Sequence, residues 1–222
     1  KNVGLWYLSG SPNHGALDLY DDSETARASL AAGTENAGSL VLKGSNGEMN
    51  AQLGHYTGQP DYGMLTLNDD TGTARLRLSA DSTDNLGKIL LYGPNGLLNT
   101  RIANPTGQLN HASLIQYDSK EGIRTNLSVN DNGVGNLLLY GANGSMNIGL
   151  WNYSTSPDNG NIQLYNGNGS TRIRLDMYND KGLTRLYGPN NEMNVYLSSS
   201  YDNDNHGYIG VLDSANGYKA AM

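Results

Sequence analysis

Hydrophobic and polar residues alternate with a period of two along most of this 222-residue chain. Leu17 and Leu19 are separated by an aspartate, and Ile89 and Leu91 repeat the same spacing farther along. Successive side chains of a β-strand point to opposite faces of its sheet, so this alternation is typical of strands with one apolar face. The pattern therefore predicts an all-β protein.

A sixteen-residue segment with this alternation recurs nine times, at intervals of about 24 residues. Two versions, the A and B repeats, follow each other in turn. The nine segments are residues 15–30, 38–53, 63–78, 87–102, 112–127, 135–150, 160–175, 182–197 and 207–222. Such repetition predicts tandem copies of one small structural element. We expect residues 1–222 to be one repeat array cut from a longer protein, because the chain starts inside a repeat.

Each repeat places a turn sequence between two alternating segments, which predicts a β-hairpin. Asn-Gly pairs favour a two-residue type I′ turn, because both residues tolerate a positive φ. That turn predicts Leu19 opposite Ala28 on the apolar face. On the outer face it predicts Tyr20 opposite Arg27. The four Asn-Gly pairs are Asn46-Gly47, Asn95-Gly96, Asn143-Gly144 and Asn168-Gly169.

The composition limits how these hairpins can be stabilised. Hydrophobic residues make up 37% of the chain, and Phe and Cys are both absent. A hairpin with two or three inward aliphatic residues per strand is marginal alone in water, so its apolar face must be covered. We favour an elongated, intertwined homotrimeric β-prism or β-helix. The alternative is a single-chain β-solenoid or a closed ring.

Charge and motif content exclude several classes of function. The net charge of −7 argues against nucleic-acid binding, which needs clustered basic residues. No apolar run reaches the roughly 20 residues of a membrane-spanning helix, so no membrane insertion is expected. The chain has no nucleophile elbow, phosphate loop or zinc-ligand spacing. We therefore predict neither an enzyme nor a bound cofactor.

Aromatic residues are the candidate ligand-binding positions. Tyr92, Tyr140 and Tyr187 occupy the same outer position in three B repeats, and Trp6 and Trp151 occupy the same position in two segments expected to be loops. Their rings suit stacking on sugars, so cell-surface polysaccharide is the candidate ligand. The alternative, which we favour, is packing within the protein.

Three histidines share the position just before an A repeat: His14, His111 and His206. In a parallel trimer, three copies of each would meet on the axis and form a candidate metal site. A hydrogen bond that closes the turn is the simpler interpretation. We therefore predict no metal site.

The two consensus strings resemble a known class of protein. The A repeat reads Gly-x-Leu-x-Leu-Tyr-Asp-x-x-x-x-x-Arg-x-x-Leu in Gly15–Leu30, and the B repeat contains Leu-Tyr-Gly-Pro-Asn-Gly in Leu91–Gly96. Both resemble the repetitive shafts of bacteriophage tail fibres and tailspikes. The resemblance implies a homotrimeric shaft, on a virion or a cell surface, that spaces a receptor-binding tip from its base. The alternative function is a carbohydrate-binding or adhesin module built from the same repeats.

Overall fold

The computed structural model describes residues 2–7, 15–32, 37–56, 59–80, 87–104, 111–129, 133–153, 156–178, 181–199, 207–212 and 218–221. These residues contain nineteen β-strands and no helix, which confirms the all-β prediction. It follows that this part of the chain holds no apolar helix of membrane-spanning length.

The chain divides into two compact units. The first consists of Lys1–Asn110 with Ser119–Glu121, and the second of His111–Asp118 with Gly122–Met222. The strands of the first unit are β1 (Val3–Tyr7), β2 (Gly15–Tyr20), β3 (Ala26–Ala32), β4 (Gly38–Lys43), β5 (Met49–Tyr56), β6 (Gln59–Asn68), β7 (Ala74–Ala80), β8 (Gly87–Tyr92) and β9 (Leu98–Ala103). Those of the second are β10 (Ser113–Tyr117), β11 (Ile123–Val129), β12 (Gly135–Tyr140), β13 (Met146–Tyr153), β14 (Ser156–Tyr165), β15 (Thr171–Tyr178), β16 (Lys181–Tyr187), β17 (Met193–Ser199), β18 (Gly207–Leu212) and β19 (Tyr218–Ala221).

Within each unit, every strand pairs antiparallel with the next strand of the chain. All nine predicted hairpins are present. The segments between hairpins are also short, so adjacent hairpins pair with each other as well. In the residues that the structure describes, each unit is therefore an open meander and forms neither a solenoid nor a closed ring.

The turn type differs from the prediction. Gly44 accepts a hydrogen bond from the Gly47 N–H (3.0 Å) and donates its own N–H to the Glu48 carbonyl (2.9 Å). Gly47 has a φ of 84°, whereas Asn46 is not left-handed. This is a three-residue loop, a type I turn followed by one left-handed residue and a bulge. Type I′ was wrong for the described hairpin turns, because it requires two left-handed residues and each of these turns supplies one.

The bulge changes the pairing on one face only. On the apolar face Leu19 pairs with Ala28 and Leu17 with Leu30, as predicted. On the outer face Tyr20 pairs with Ala26 instead of Arg27, because the returning strand carries one extra residue next to the turn. The same shift occurs in the other hairpins that carry an outer tyrosine before the turn, and those pairs are Tyr92–Leu98, Tyr117–Ile123, Tyr140–Met146, Tyr165–Thr171 and Tyr187–Met193.

The described residues do not enclose a thick core. The buried hydrophobic residues are few and mostly small: Ala37, Ala103, Val134, Leu183 and Leu212. No large side chain in the described part of the chain is completely buried. The sheets are single layers, and most of their aliphatic residues remain in contact with solvent.

Candidate functional site

The most extensive feature of the first unit is an unbroken aliphatic row. Cross-strand pairing aligns one residue from each of the nine strands, and Leu30 and Leu53 remain 55% and 56% exposed. We call the side of each sheet that carries this row the aliphatic face. The row consists of Leu5, Leu17, Leu30, Leu40, Leu53, Leu65, Leu78, Ile89 and Ile102.

The second unit repeats this arrangement with one polar interruption at Thr184. Its row consists of Leu114, Leu127, Leu137, Leu150, Ile162, Leu175, Thr184, Leu197 and Ile209. A groove of about 1110 Å³ follows this row, and Leu150, Ile162 and Leu175 are among its lining residues. The first unit has a smaller groove of about 720 Å³ that includes Leu17 and Leu30. Open grooves lined mainly by aliphatic residues mark interaction surfaces.

The two tryptophans lie on the opposite side of the sheets, the polar face. Trp6 is in β1 and Trp151 in β13, so the expectation that they lie in loops was wrong. The strands continue through both positions, since Trp6 pairs with Ala16 and Trp151 with Asn161. Trp6 remains 43% exposed.

Each indole lies over a glycine of its own strand. A Cβ on Gly4 would be 2.4 Å from Trp6 Nε1, and a Cβ on Gly149 would be 1.8 Å from Trp151 Cζ3. The glycine two residues before each tryptophan therefore provides the space for the ring.

The three candidate tyrosines are half-buried at the ends of β8, β12 and β16. The Tyr92 ring centroid lies 6.0 Å from the guanidinium carbon of Arg77, which is a cation–π contact. Tyr140 and Tyr187 belong to the second unit, where β13, β14 and β15 separate their strands. The three tyrosines therefore do not form one site.

The turns are linked by a polar network. In the A hairpin of β2 and β3, the Asp21 carboxylate accepts hydrogen bonds from Ser23 N–H (3.0 Å), Ser23 Oγ (2.7 Å) and Thr25 N–H (3.0 Å). Arg27 donates its Nε–H to Asp21 (2.6 Å) and reaches the carbonyl of Gly44 in the next turn. The equivalent pairs are Asp69–Arg75 and Asp118–Arg124, whose arginines reach Gly93 and Gly141.

These contacts stabilise the charged form of the turn carboxylates. The hydrogen bond from the Ser23 hydroxyl, followed by that from Thr25, lowers the pKa of Asp21 from 3.8 to about 2. The hydrogen bond from the Thr71 hydroxyl has the main effect on Asp69, whose pKa is also lowered to about 2. Both shifts are explained by turn structure, so these carboxylates are unsuited to proton transfer near neutral pH.

Of the three candidate histidines, the structure describes His111. It is half-buried just before β10. His14 and His206 lie outside the described residues. No three His, Cys, Asp or Glu side chains of the described segments lie close enough together to hold a metal ion.

Sequence reasoning missed a cluster of charged residues on the polar face of the second unit. Asp176 in β15 has a side chain that is only 2% exposed, and its Oδ2 lies 2.7 Å from Arg174 Nε and 3.2 Å from Arg185 Nη1. Arg174 and Arg185 are direct cross-strand partners. The Arg-x-Arg sequence of residues 172–174 was the available signal for this cluster. Its other arginine, Arg185 on β16, is brought close only by strand pairing.

Comparisons with known proteins do not assign the chain to a family. No protein-family model and no curated protein matches it. Among solved structures it is similar to the wild-type TCP10 domain of Danio rerio CPAP, with a TM-score of 0.45 and 9% identity over 99% of both chains. A likeness this weak carries no argument about the function of the chain.

Proposed function

We propose that this chain is a structural segment of an extracellular fibre, such as the shaft of a phage tail fibre, in which copies of the chain assemble through their aliphatic faces. The observation that carries this proposal is the aliphatic row across every strand of the first unit, because six of its nine residues are exposed. A sheet that exposes such a face in water needs a cover, because transfer of apolar surface from water is the main favourable term in association.

The exposed residues of the first-unit row support a large interface. Leu5, Leu30 and Leu53 are 79%, 55% and 56% exposed. Large, mainly hydrophobic interfaces occur in permanent assemblies.

The edge of the aliphatic face adds a second argument. Gly63, Gly87, Gly135 and Gly182 lie on this face, and a Cβ on any of them would have no atom within 4 Å. None has a positive φ, so neither sterics nor backbone conformation within the chain explains these glycines. Close approach of another chain would explain them.

We propose three copies per assembly, as the resemblance to phage fibre shafts implies. In that arrangement the aliphatic faces meet around a common axis and the turns point outward. The function is mechanical: stacked hairpins give the shaft stiffness, and the shaft spaces a receptor-binding tip from its base. The proposed location is the virion tail or a cell surface.

The test is the molar mass of the purified chain, measured by light scattering after size-exclusion chromatography and combined with small-angle X-ray scattering. The expected result is three times 23.8 kDa with the scattering profile of a rod. A folded monomer at micromolar concentration would refute assembly through the aliphatic face. A stable dimer would be consistent with assembly through the aliphatic face but would refute the trimer.

A further inference from the structure

A small polar pocket opens on the polar face of the second unit, on the side of the sheet opposite the proposed assembly surface. Its volume is about 290 Å³, and its lining residues are Ser170, Thr171, Arg174, Tyr187 and Asn191. This volume is near the lower end of small-molecule sites, about 300 Å³, and suits a single ring. The lining supplies one cation, one aromatic ring, two hydroxyls and one amide.

The charge around this pocket is positive although the chain is acidic. Arg174 borders the pocket, Arg185 is its cross-strand partner, and Arg172 donates to the side-chain oxygen of Asn191 (3.1 Å). Asp176 contacts Arg174 and Arg185 through the same oxygen. Three guanidinium groups and the carboxylates of Asp176 and Glu192, the residue after Asn191, leave a formal charge of +1, in a chain with a net charge of −7.

The arrangement of the two arginines is costly for the sheet alone. Like charges directly opposite each other on neighbouring strands destabilise a sheet. Asp176 contacts both guanidinium groups and offsets part of this cost. An anionic ligand in the pocket would add a further favourable interaction with them.

We propose that this pocket binds a carboxylate-bearing sugar of an acidic polysaccharide. The guanidinium of Arg174 would bind the sugar carboxylate, since its planar fork matches two carboxylate oxygens. The Tyr187 ring offers an apolar surface to the sugar ring. The hydroxyls of Ser170 and Thr171 and the amide of Asn191 are suited to hydrogen bonds with sugar hydroxyls.

The first unit offers an internal comparison. Arg77 and Tyr92 occupy the positions equivalent to Arg174 and Tyr187 and form a cation–π contact. The cross-strand partner of Arg77 is Leu90, whereas that of Arg174 is Arg185. The first unit therefore has the aromatic–arginine pair without the second arginine. Arg77 and Tyr92 serve as matched control positions for Arg174 and Tyr187.

The experiment titrates the full chain with trigalacturonate, diglucuronate and sialyllactose by calorimetry and ligand-observed NMR. Neutral galactotriose and sodium acetate are run alongside. The acidic sugars are expected to bind at millimolar concentration or tighter, with galactotriose at least about tenfold weaker, the effect of losing one charge-assisted hydrogen bond. Arg174→Met and Tyr187→Ala should each weaken binding by a similar factor, whereas Arg77→Met and Tyr92→Ala should leave it unchanged.

Several outcomes would overturn the proposal: no binding of any of the three acidic sugars, equal binding of galactotriose, or equal loss in the first-unit controls. Acetate binding as tightly as the sugars would show a simple anion site and refute the saccharide. Circular dichroism of each variant checks that the sheet is intact. Tyr187→Ala leaves the Asp176 ion pairs in place, so it tests the pocket even if Arg174→Met unfolds.

Discussion

Replacing Leu53 with glutamate tests whether the aliphatic face is the assembly surface. Leu53 lies in the middle of the first-unit row and is 56% exposed. Complete burial of a leucine contributes about 1.5–3 kcal/mol, so covering its exposed part contributes about 1.3 kcal/mol per copy. Over three copies this is about 4 kcal/mol, or roughly a thousandfold in the association constant. Desolvation of the introduced carboxylates adds to this loss.

The matched control is Gln52→Glu. Gln52 is the preceding residue of β5, so its side chain projects from the polar face. It introduces the same residue and the same charge one position away. Any effect of net charge or of glutamate in a strand should therefore occur in both variants. A difference in their dissociation then shows that the aliphatic face is the assembly surface.

The assay is sedimentation velocity over a dilution series, with circular dichroism to confirm β-structure. Gln52→Glu should dissociate at the same concentration as the unmodified chain. Leu53→Glu should dissociate at a much higher concentration, or be monomeric throughout. Equal dissociation of the two variants would refute the reasoning, whether both remain assembled or both fall apart.

Three further predictions concern the turns and a tryptophan. The pKa of Asp69 is about 2 instead of 3.8, so its stabilising effect is complete above the unfolded value and is lost as the pH falls towards 2; Asp69→Asn should reduce this acid sensitivity in thermal unfolding. Glu24 has a φ of 60°, and Glu24→Gly should stabilise the chain by about 1 kcal/mol in denaturant unfolding. Gly149→Ala should displace the indole of Trp151 and change its fluorescence, whereas Gly167→Ala in a turn, where a Cβ meets only Asn143 Nδ2 at 3.9 Å, should not.

Each of these predictions has a contradicting result. Identical acid unfolding of Asp69→Asn and the unmodified chain would show that this carboxylate does not stabilise the turn. Destabilisation by Glu24→Gly would mean that contacts of the glutamate outweigh its backbone strain. Unchanged tryptophan fluorescence in Gly149→Ala would show that the ring does not lie over the glycine.

The sequence pattern predicted the pairs on the aliphatic face correctly but not the pairs on the outer face. The pairs Leu19–Ala28 and Leu17–Leu30 followed from the period of two and the length of the turn, and both are present. The same reasoning misplaced Tyr20, because a two-residue loop and a three-residue loop with a bulge give the same pairs beyond the bulge. Only the backbone conformation of the turn distinguishes them.

The sequence by itself determined the strand content, the nine hairpins and the composition of the aliphatic face, because alternation and turn residues act over a few neighbouring positions. Tertiary structure decided which residues of different hairpins meet. Pairing with β14 continues β13 through Trp151, whose ring lies over Gly149, and pairing of β15 with β16 brings Arg185 against Arg174 and Asp176. Both pairings join successive hairpins, which sequence spacing within one hairpin does not specify.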